Sequence, residues 1–241
     1  MIDIPQGHHE ATWRFLLHLA EVMPDGWTLI GAEMVNLHAY EAGVSILRTS
    51  ADADILVNAR VATPATKAMS SLLVDEGFEL TGRSTENVGH KFVRGTVTVD
   101  VLAPDGLGPR ARIETHLGAH TVQVPGGTQA LKRTQRVDIR IGSIVGQIPR
   151  PNLTGALLIK ARAVEVDDLP EAQRRDLALL LSLVPDPFVI HDEMTPTERG
   201  WLSRRVELAE PNGAPWEGIE RADQGRDALR IIIASSSSRP R

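Results

Sequence analysis

The sequence predicts an α/β (α+β) fold, with a mixed β-sheet and flanking helices over residues 1–150 and a helical part over residues 151–241. Two observations carry this. Up to "QIPRPN", short apolar runs alternate with helical periods and are punctuated by Gly31, Gly43, Gly77 and Gly95. Beyond it, "LTGALLIKARAVEV" and "DLPEAQRRDLALLLSLV" are long, leucine-rich and helically periodic, which places a boundary near residue 150.

The elements follow in order. "EATWRFLLHLAEVM" sets Trp13, Leu16, Leu17 and Ala20 near helical spacing before "PDG" stops the helix. "WTLIG" reads as a strand ending in Gly31, "AEMVNLHAYEAG" as a helix closed by Gly43, and "DADILV" as a second strand. "PATKAMSSLLVDEG" reads as a helix with Pro64 near its first turn and Gly77 past its end, and "FELTG" as a third strand or edge. "HKFVRG" and "VTVDVLAP" suit an antiparallel hairpin turning at Gly95, and further strands are expected at "ARIETH", "HTVQVP" and "RVDIRIGSIVGQI". Later, Thr195 and Glu198 have the spacing of a capping box, "PNGAPWEG" breaks the chain, and "IIIASSSSRPR" suggests a mobile tail.

Composition narrows the chemistry. The chain has no cysteine, hence no disulfide, no thiolate zinc site and no cysteine nucleophile, which fits a reducing compartment and makes the cytoplasm the expected location. The start "MIDIPQGHHEATW" has no basic segment leading into an apolar core, and no later run approaches the ~20 apolar residues of a membrane span. A formal net charge of -5 gives no global attraction to nucleic acid, although a local basic face is compatible with it. Neither a Gly-x-x-x-x-Gly-Lys phosphate loop nor a Gly-x-Ser-x-Gly elbow occurs. "VPGGTQALKRTQR" pairs a Gly-Gly turn with Lys132, Arg133 and Arg136, which reads first as a solvated basic loop and second as a contact for a polyanionic acceptor.

The chemistry concentrates in "RTSADADILV". Period-two alternation puts Asp52, Asp54 and Leu56 on one face of the strand, opposite Ala53, Ile55 and Val57. Side by side the two carboxylates repel, and a divalent cation offsets such repulsion. The same alternation in "TVTVDVL" separates Asp100 from its valine neighbours; if the two strands pair, three carboxylates share a surface, as a two-metal phosphoryl-transfer site requires. A solvated strand entrance is the alternative reading of the Asp-x-Asp pair. Upstream, strand, Gly31 and helix N-terminus offer backbone N–H groups and a helix dipole suited to phosphate, and Arg48 and Ser50 add a cation and a hydroxyl. Lys160 interrupts the apolar stripe of Leu153, Leu157, Ala161 and Val164, either as a snorkelling surface lysine or as a cation entering a cleft.

The order "LIGAEMVNLHA", "RTSADADILV" and "VTVDVLAPD", with a helical lysine in "GALLIKARAV" and an aspartate in "QRRDLALLL", resembles the polymerase-beta-type nucleotidyltransferase superfamily. Within it the chain is most similar to the AbiEii-type toxins of type IV toxin-antitoxin systems, including the mycobacterial MenT-type toxins, over roughly Leu29 to Leu183. The resemblance implies Asp52, Asp54 and Asp100 as ligands of Mg²⁺, or Mn²⁺ in its place. It implies Gly31, Ala32, Arg48, Ser50 and Asp176 at the nucleoside triphosphate and Lys160 on its phosphates. Asp176 is expected either to orient Lys160 or to cap a basic cluster with Arg174 and Arg175. Residues 1–150 would then be the catalytic domain, the acceptor an RNA such as the 3′ end of tRNA, and an antitoxin protein the partner. Ala32 departs from the family pattern, which has glycine or serine after the first glycine. Two rivals stay open: a small alcohol of aminoglycoside type as acceptor, and a degenerate fold that only binds a nucleotide or partner.

Overall fold

The structure is a computed structural model describing residues 1–234 except 6, 8, 47, 51, 60–64, 109–110, 167–169 and 211–212. Pro64 and the expected mobile tail, residues 235–241, therefore lie outside the described residues.

Two sheets organise the first part. The six-stranded sheet has the order β2-β3-β6-β5-β4, with β7 paired to the far end of β6. Its strands are β2 (Trp27–Ile30), β3 (Asp52–Val57), β4 (Glu79–Thr81), β5 (Lys91–Arg94), β6 (Val97–Pro104) and β7 (Gln123–Val124). The hairpin at Gly95 forms as expected, with β5 and β6 antiparallel and Gly95 at φ 59.

A separate three-stranded sheet joins β1 (Ile2–Asp3) to the hairpin of β8 (Thr134–Ile141) and β9 (Ile144–Pro151). The mixed sheet expected from the sequence comes as two sheets, because the β8–β9 hairpin pairs with β1, at Ile2↔Ile139, and with no described strand of the larger sheet, and the β1 contact has no local signature. "ARIETH" is no strand: Leu117 and Gly118 take positive φ and fold the chain back, so Thr115 N–H donates to Ala119 and Thr121 N–H to Ile113. "VPGGTQALKRTQR" is likewise no open loop, since it forms the short helix α4 of Gly127–Lys132. Asp105 accepts the Gly126 and Thr128 N–H groups, and Gly127 packs where a Cβ would stand 3.0 Å from Pro104 and 3.3 Å from Leu56.

Helices α1 (Glu10–Val22), α2 (Gly31–Ala42) and α3 (Ala65–Asp75) precede α4. The buried side of α1 carries Trp13, Leu16 and Leu19, each at 0% exposure, and full burial of such a side chain contributes roughly 1.5–3 kcal/mol. Gly43 closes α2 in the left-handed conformation that lets its N–H reach Ala39 and Tyr40.

After β9 the chain is helical: α5 (Leu153–Ala163), α6 (Pro170–Ser182), α7 (Pro187–Glu193), α8 (Pro196–Ser203) and α9 (Ala222–Ile233). Asn152 caps α5 by accepting the Gly155 N–H at 2.9 Å, and Thr195 with Glu198 forms the capping box expected for α8. α9 has no counterpart in the sequence reading, which took its end as a short apolar stretch. It packs on α6, and Gly225 lets it close on Trp216, 2.6 Å from where a Cβ would stand. α6 also packs on α2 and α5, which joins the helical part to the first part of the chain.

Candidate active site

β3 and β6 run parallel, and their register sets Asp54 directly opposite Asp100 and Asp52 opposite Thr98. Alternation buries Ala53, Ile55, Val99 and Val101, each at 0% exposure, and turns the aspartates to the cleft. Across adjacent strands, roughly 4.8 Å apart, like charges oppose each other's ionisation. Burial first, then the charge of Asp100, pushes the Asp54 carboxyl up to about 6. Burial also pushes Asp100 up to about 6, against the pull of Lys91. Oδ1 of Asp100 is buried without a hydrogen-bond partner.

β2 is antiparallel to β3 and pairs Ile30 with Asp54, so the residue that starts α2 sits against that carboxylate. This is Gly31, with φ 72; a Cβ there would stand 1.7 Å from Asp54 Oδ2. Glycine is required both for the backbone conformation and for the contact. The first turn of α2 thus aims its N–H groups beside the carboxylate pair. Ala32 is 4% exposed, so a small side chain suits its packing, while no hydroxyl is available there. Glu33 is buried beneath, taking hydrogen bonds from Asn36 Nδ2 at 3.3 Å and from the Ser50 backbone. Burial pushes Glu33 up to about 7.

Arg48, Lys160 and Asp176 join the two parts of the chain. Asp176, on α6, accepts from Arg48 Nη2 at 2.8 Å and from Lys160 Nζ at 2.8 Å; Lys160 also donates to Gln173 Oε1 at 2.8 Å. With Lys160 and Asp176 each 3% exposed, the snorkelling reading of Lys160 fails. Asp176 lies under both cations as their shared anchor, while Arg174 turns to Glu207 and Arg175 to the Glu217 carbonyl. The Ser50 hydroxyl hydrogen-bonds the Asp52 backbone at the entrance of β3.

Two hollows meet at this junction. The smaller, about 200 Å³, is lined by Gly31, Ala32, Arg48, Ser50, Asp52 and Lys160 among others and is polar. The larger, about 450 Å³, extends past Asp100 between Leu102, Val122, Val124, Ile159, Ala163 and Val166. Gly31, Asp54, Lys160 and Gln173 belong to both.

Lys91 belongs to the site and was missed from the sequence. It stands opposite Asp100 across the β5–β6 ladder and donates to Asp52 Oδ2 at 2.8 Å, 3.8 Å from Asp100 Oδ2. Strand alternation alone assigns it to the cleft face, but only the register brings it to the carboxylates. Among the described residues, no three His, Cys, Asp or Glu side chains are already gathered into a metal cluster. The donor set nevertheless fits a divalent cation: hard carboxylate oxygens, one of them buried and unpartnered, with two carboxyls raised by burial and repulsion. Among the described residues no helix is long and apolar enough to cross a membrane.

No family model and no characterised protein sequence matches the chain. Among solved structures, an antigenic nucleotidyltransferase-like protein from Paracoccidioides brasiliensis is similar in fold, with a TM-score of 0.57 and 12% identity over 97% of this chain and 97% of that one. The chain therefore has a nucleotidyltransferase-like fold; at that identity the likeness concerns architecture and leaves the narrower resemblance to AbiEii-type toxins on the motifs alone.

Proposed function

We propose that this protein is a metal-dependent nucleotidyltransferase that moves a nucleoside monophosphate from a nucleoside triphosphate to an acceptor hydroxyl. The observation that carries this reading is the contact of Gly31, at the helix N-terminus, with Asp54, itself in register with Asp100. A phosphate cradle and a carboxylate pair share one wall.

In this reading the polar hollow takes the triphosphate. Backbone N–H groups of Gly31 and Ala32 receive phosphate oxygens, and Arg48, Ser50 and Lys160 line the path of the leaving pyrophosphate. Asp176 keeps both cations aimed, so little reorganisation is needed as charge develops. Asp54, Asp100 and Asp52 would hold Mg²⁺, or Mn²⁺, whose positive charge neutralises the phosphate oxygens. The acceptor oxygen forms a bond to the α-phosphorus, the bond to pyrophosphate breaks, and Asp100 takes the hydroxyl proton.

In-line displacement brings the attacking oxygen from the side opposite the leaving group. In this reading that side is the larger hollow, where Lys160 is the one basic side chain among the described lining residues and most walls are aliphatic. A polyanion needs a basic track, yet Arg133 is paired with Glu198 at 3.1 Å and Arg136 with Asp25 at 3.1 Å. These features favour a small hydroxyl compound with an apolar body over the tRNA end or a polycationic aminoglycoside. The toxin role and an antitoxin partner rest on the motif resemblance, and the cytoplasm is the proposed location.

The test supplies α-labelled ATP, GTP, CTP and UTP with Mg²⁺ and three acceptor pools: deacylated tRNA, kanamycin, and the small-molecule fraction of a cell extract. Label on a compound of the small-molecule fraction is expected. Label on tRNA would restore the RNA reading, and no transfer to any pool would end the enzymatic one.

A further inference from the structure

The Lys91 ammonium lies against Asp52 and Asp100, two of the three carboxylates proposed to hold divalent metal. We propose that Lys91 is a built-in cation of this site, so that the protein binds one divalent ion per chain rather than two; this rests on the nucleotidyl-transfer reading above.

Three observations lead here. Lys91 is fixed by its backbone, because β5 is an inner strand that pairs Lys91 with Thr81 on one side and with Asp100 on the other. Its position opposite Asp100 therefore follows from the sheet register and not from a side-chain rotamer. Its Nζ bridges two of the three carboxylates, 2.8 Å from Asp52 Oδ2 and 3.8 Å from Asp100 Oδ2. Asp100 Oδ1 is buried and unpartnered, and with the Asp54 carboxylate directly across the ladder it offers a donor set for a single ion.

Electrostatics argues the same way. A second dication bridging Asp52 and Asp100 would have to displace the ammonium that the register of β5 delivers to those carboxylates, and the two cations would repel at close range. Two divalent ions set about 3.5–4 Å apart in such sites clamp the attacking and leaving oxygens. Here the leaving side already has Lys160 and Arg48, anchored on Asp176, and Lys91 completes the charge at the carboxylates. The site then carries three protein cations and one metal position, which predisposes it to a first-order dependence on divalent ion.

The experiment counts Mn²⁺ by electron paramagnetic resonance on the full chain, alone and with the α,β-methylene analogues of ATP, GTP, CTP and UTP in turn. Wild type and Lys91→Arg are expected to hold one Mn²⁺ per chain with nucleotide, and Lys91→Met to hold two. Lys91 is 40% exposed, and matching melting curves of the variants establish that they are folded. Two Mn²⁺ in wild type, or one in both wild type and Lys91→Met, overturns the proposal while leaving nucleotidyl transfer standing. Absence of nucleotide-dependent Mn²⁺ binding in every protein overturns both.

Discussion

Gly31 and Asp54 are in contact so close that a methyl group on Gly31 would stand 1.7 Å from Asp54 Oδ2. The antiparallel pairing of Ile30 with Asp54 creates this contact, and positive φ at Gly31 lets the helix begin there. Gly31→Ala should cost ~1–2 kcal/mol for the left-handed backbone alone. It also forces the carboxylate aside. Expected are a lowered melting temperature and at least a tenfold loss of triphosphate affinity, read by calorimetric titration; unchanged affinity would detach the helix N-terminus from the phosphates.

Asp176 is expected to be worth more to the fold than Lys160. Removing the carboxylate in Asp176→Ala leaves Lys160 buried without its anion, a change that costs about 3–5 kcal/mol for buried pairs. Lys160→Met leaves Asp176 still paired with Arg48 and should be milder in denaturant melts, yet should reduce kcat by about a hundredfold or more, as expected when a transition-state donor is lost. Equal destabilisation by both would refute the shared-anchor geometry.

Glu33 should give the protein a pH-dependent penalty. Burial raises its folded-state value to about 7 against an ordinary 4.5, so the unfolded chain releases this proton first as pH rises. The group's contribution is fully present below 4.5, declines between 4.5 and 7, and is lost above 7, a difference of roughly 3 kcal/mol by linkage. Glu33→Gln, which keeps an acceptor for Asn36 and the Ser50 backbone, should melt near wild type at pH 4.5 and several degrees higher at pH 8. A constant offset across that range would place the origin elsewhere.

Ala163 lines the larger hollow and not the polar one. Ala163→Trp should abolish transfer to a small acceptor while leaving affinity for an α,β-methylene triphosphate within about twofold, since interactions at separate subsites are close to additive. Loss of triphosphate binding instead would make the hollow the nucleoside pocket.

Much of the site was legible because strand alternation is strict. Asp52, Asp54 and Asp100 could each be assigned a face from their apolar neighbours, and Gly31 marked the strand-to-helix corner. Lys91 escaped because its role depends on which residue lies across β5, and register is a property of pairing. Lys160 could be placed on a helix face, but its burial with Asp176 depends on how α5 and α6 pack. The divided sheet and α4 escaped for a similar reason: Ile2 meets Ile139, and Gly127 meets Leu56, only in the folded chain.

The most direct measurement compares α-labelled and γ-labelled triphosphates with Mg²⁺, the cell-extract fraction and either wild type or Asp54→Asn. Nucleotidyl transfer requires the α-label to join an acceptor and the γ-label to leave as pyrophosphate, with both lost in Asp54→Asn. Release of the γ-label as orthophosphate, or transfer that survives Asp54→Asn, would contradict the reading of the Gly31–Asp54–Asp100 junction as a nucleotidyl-transfer site.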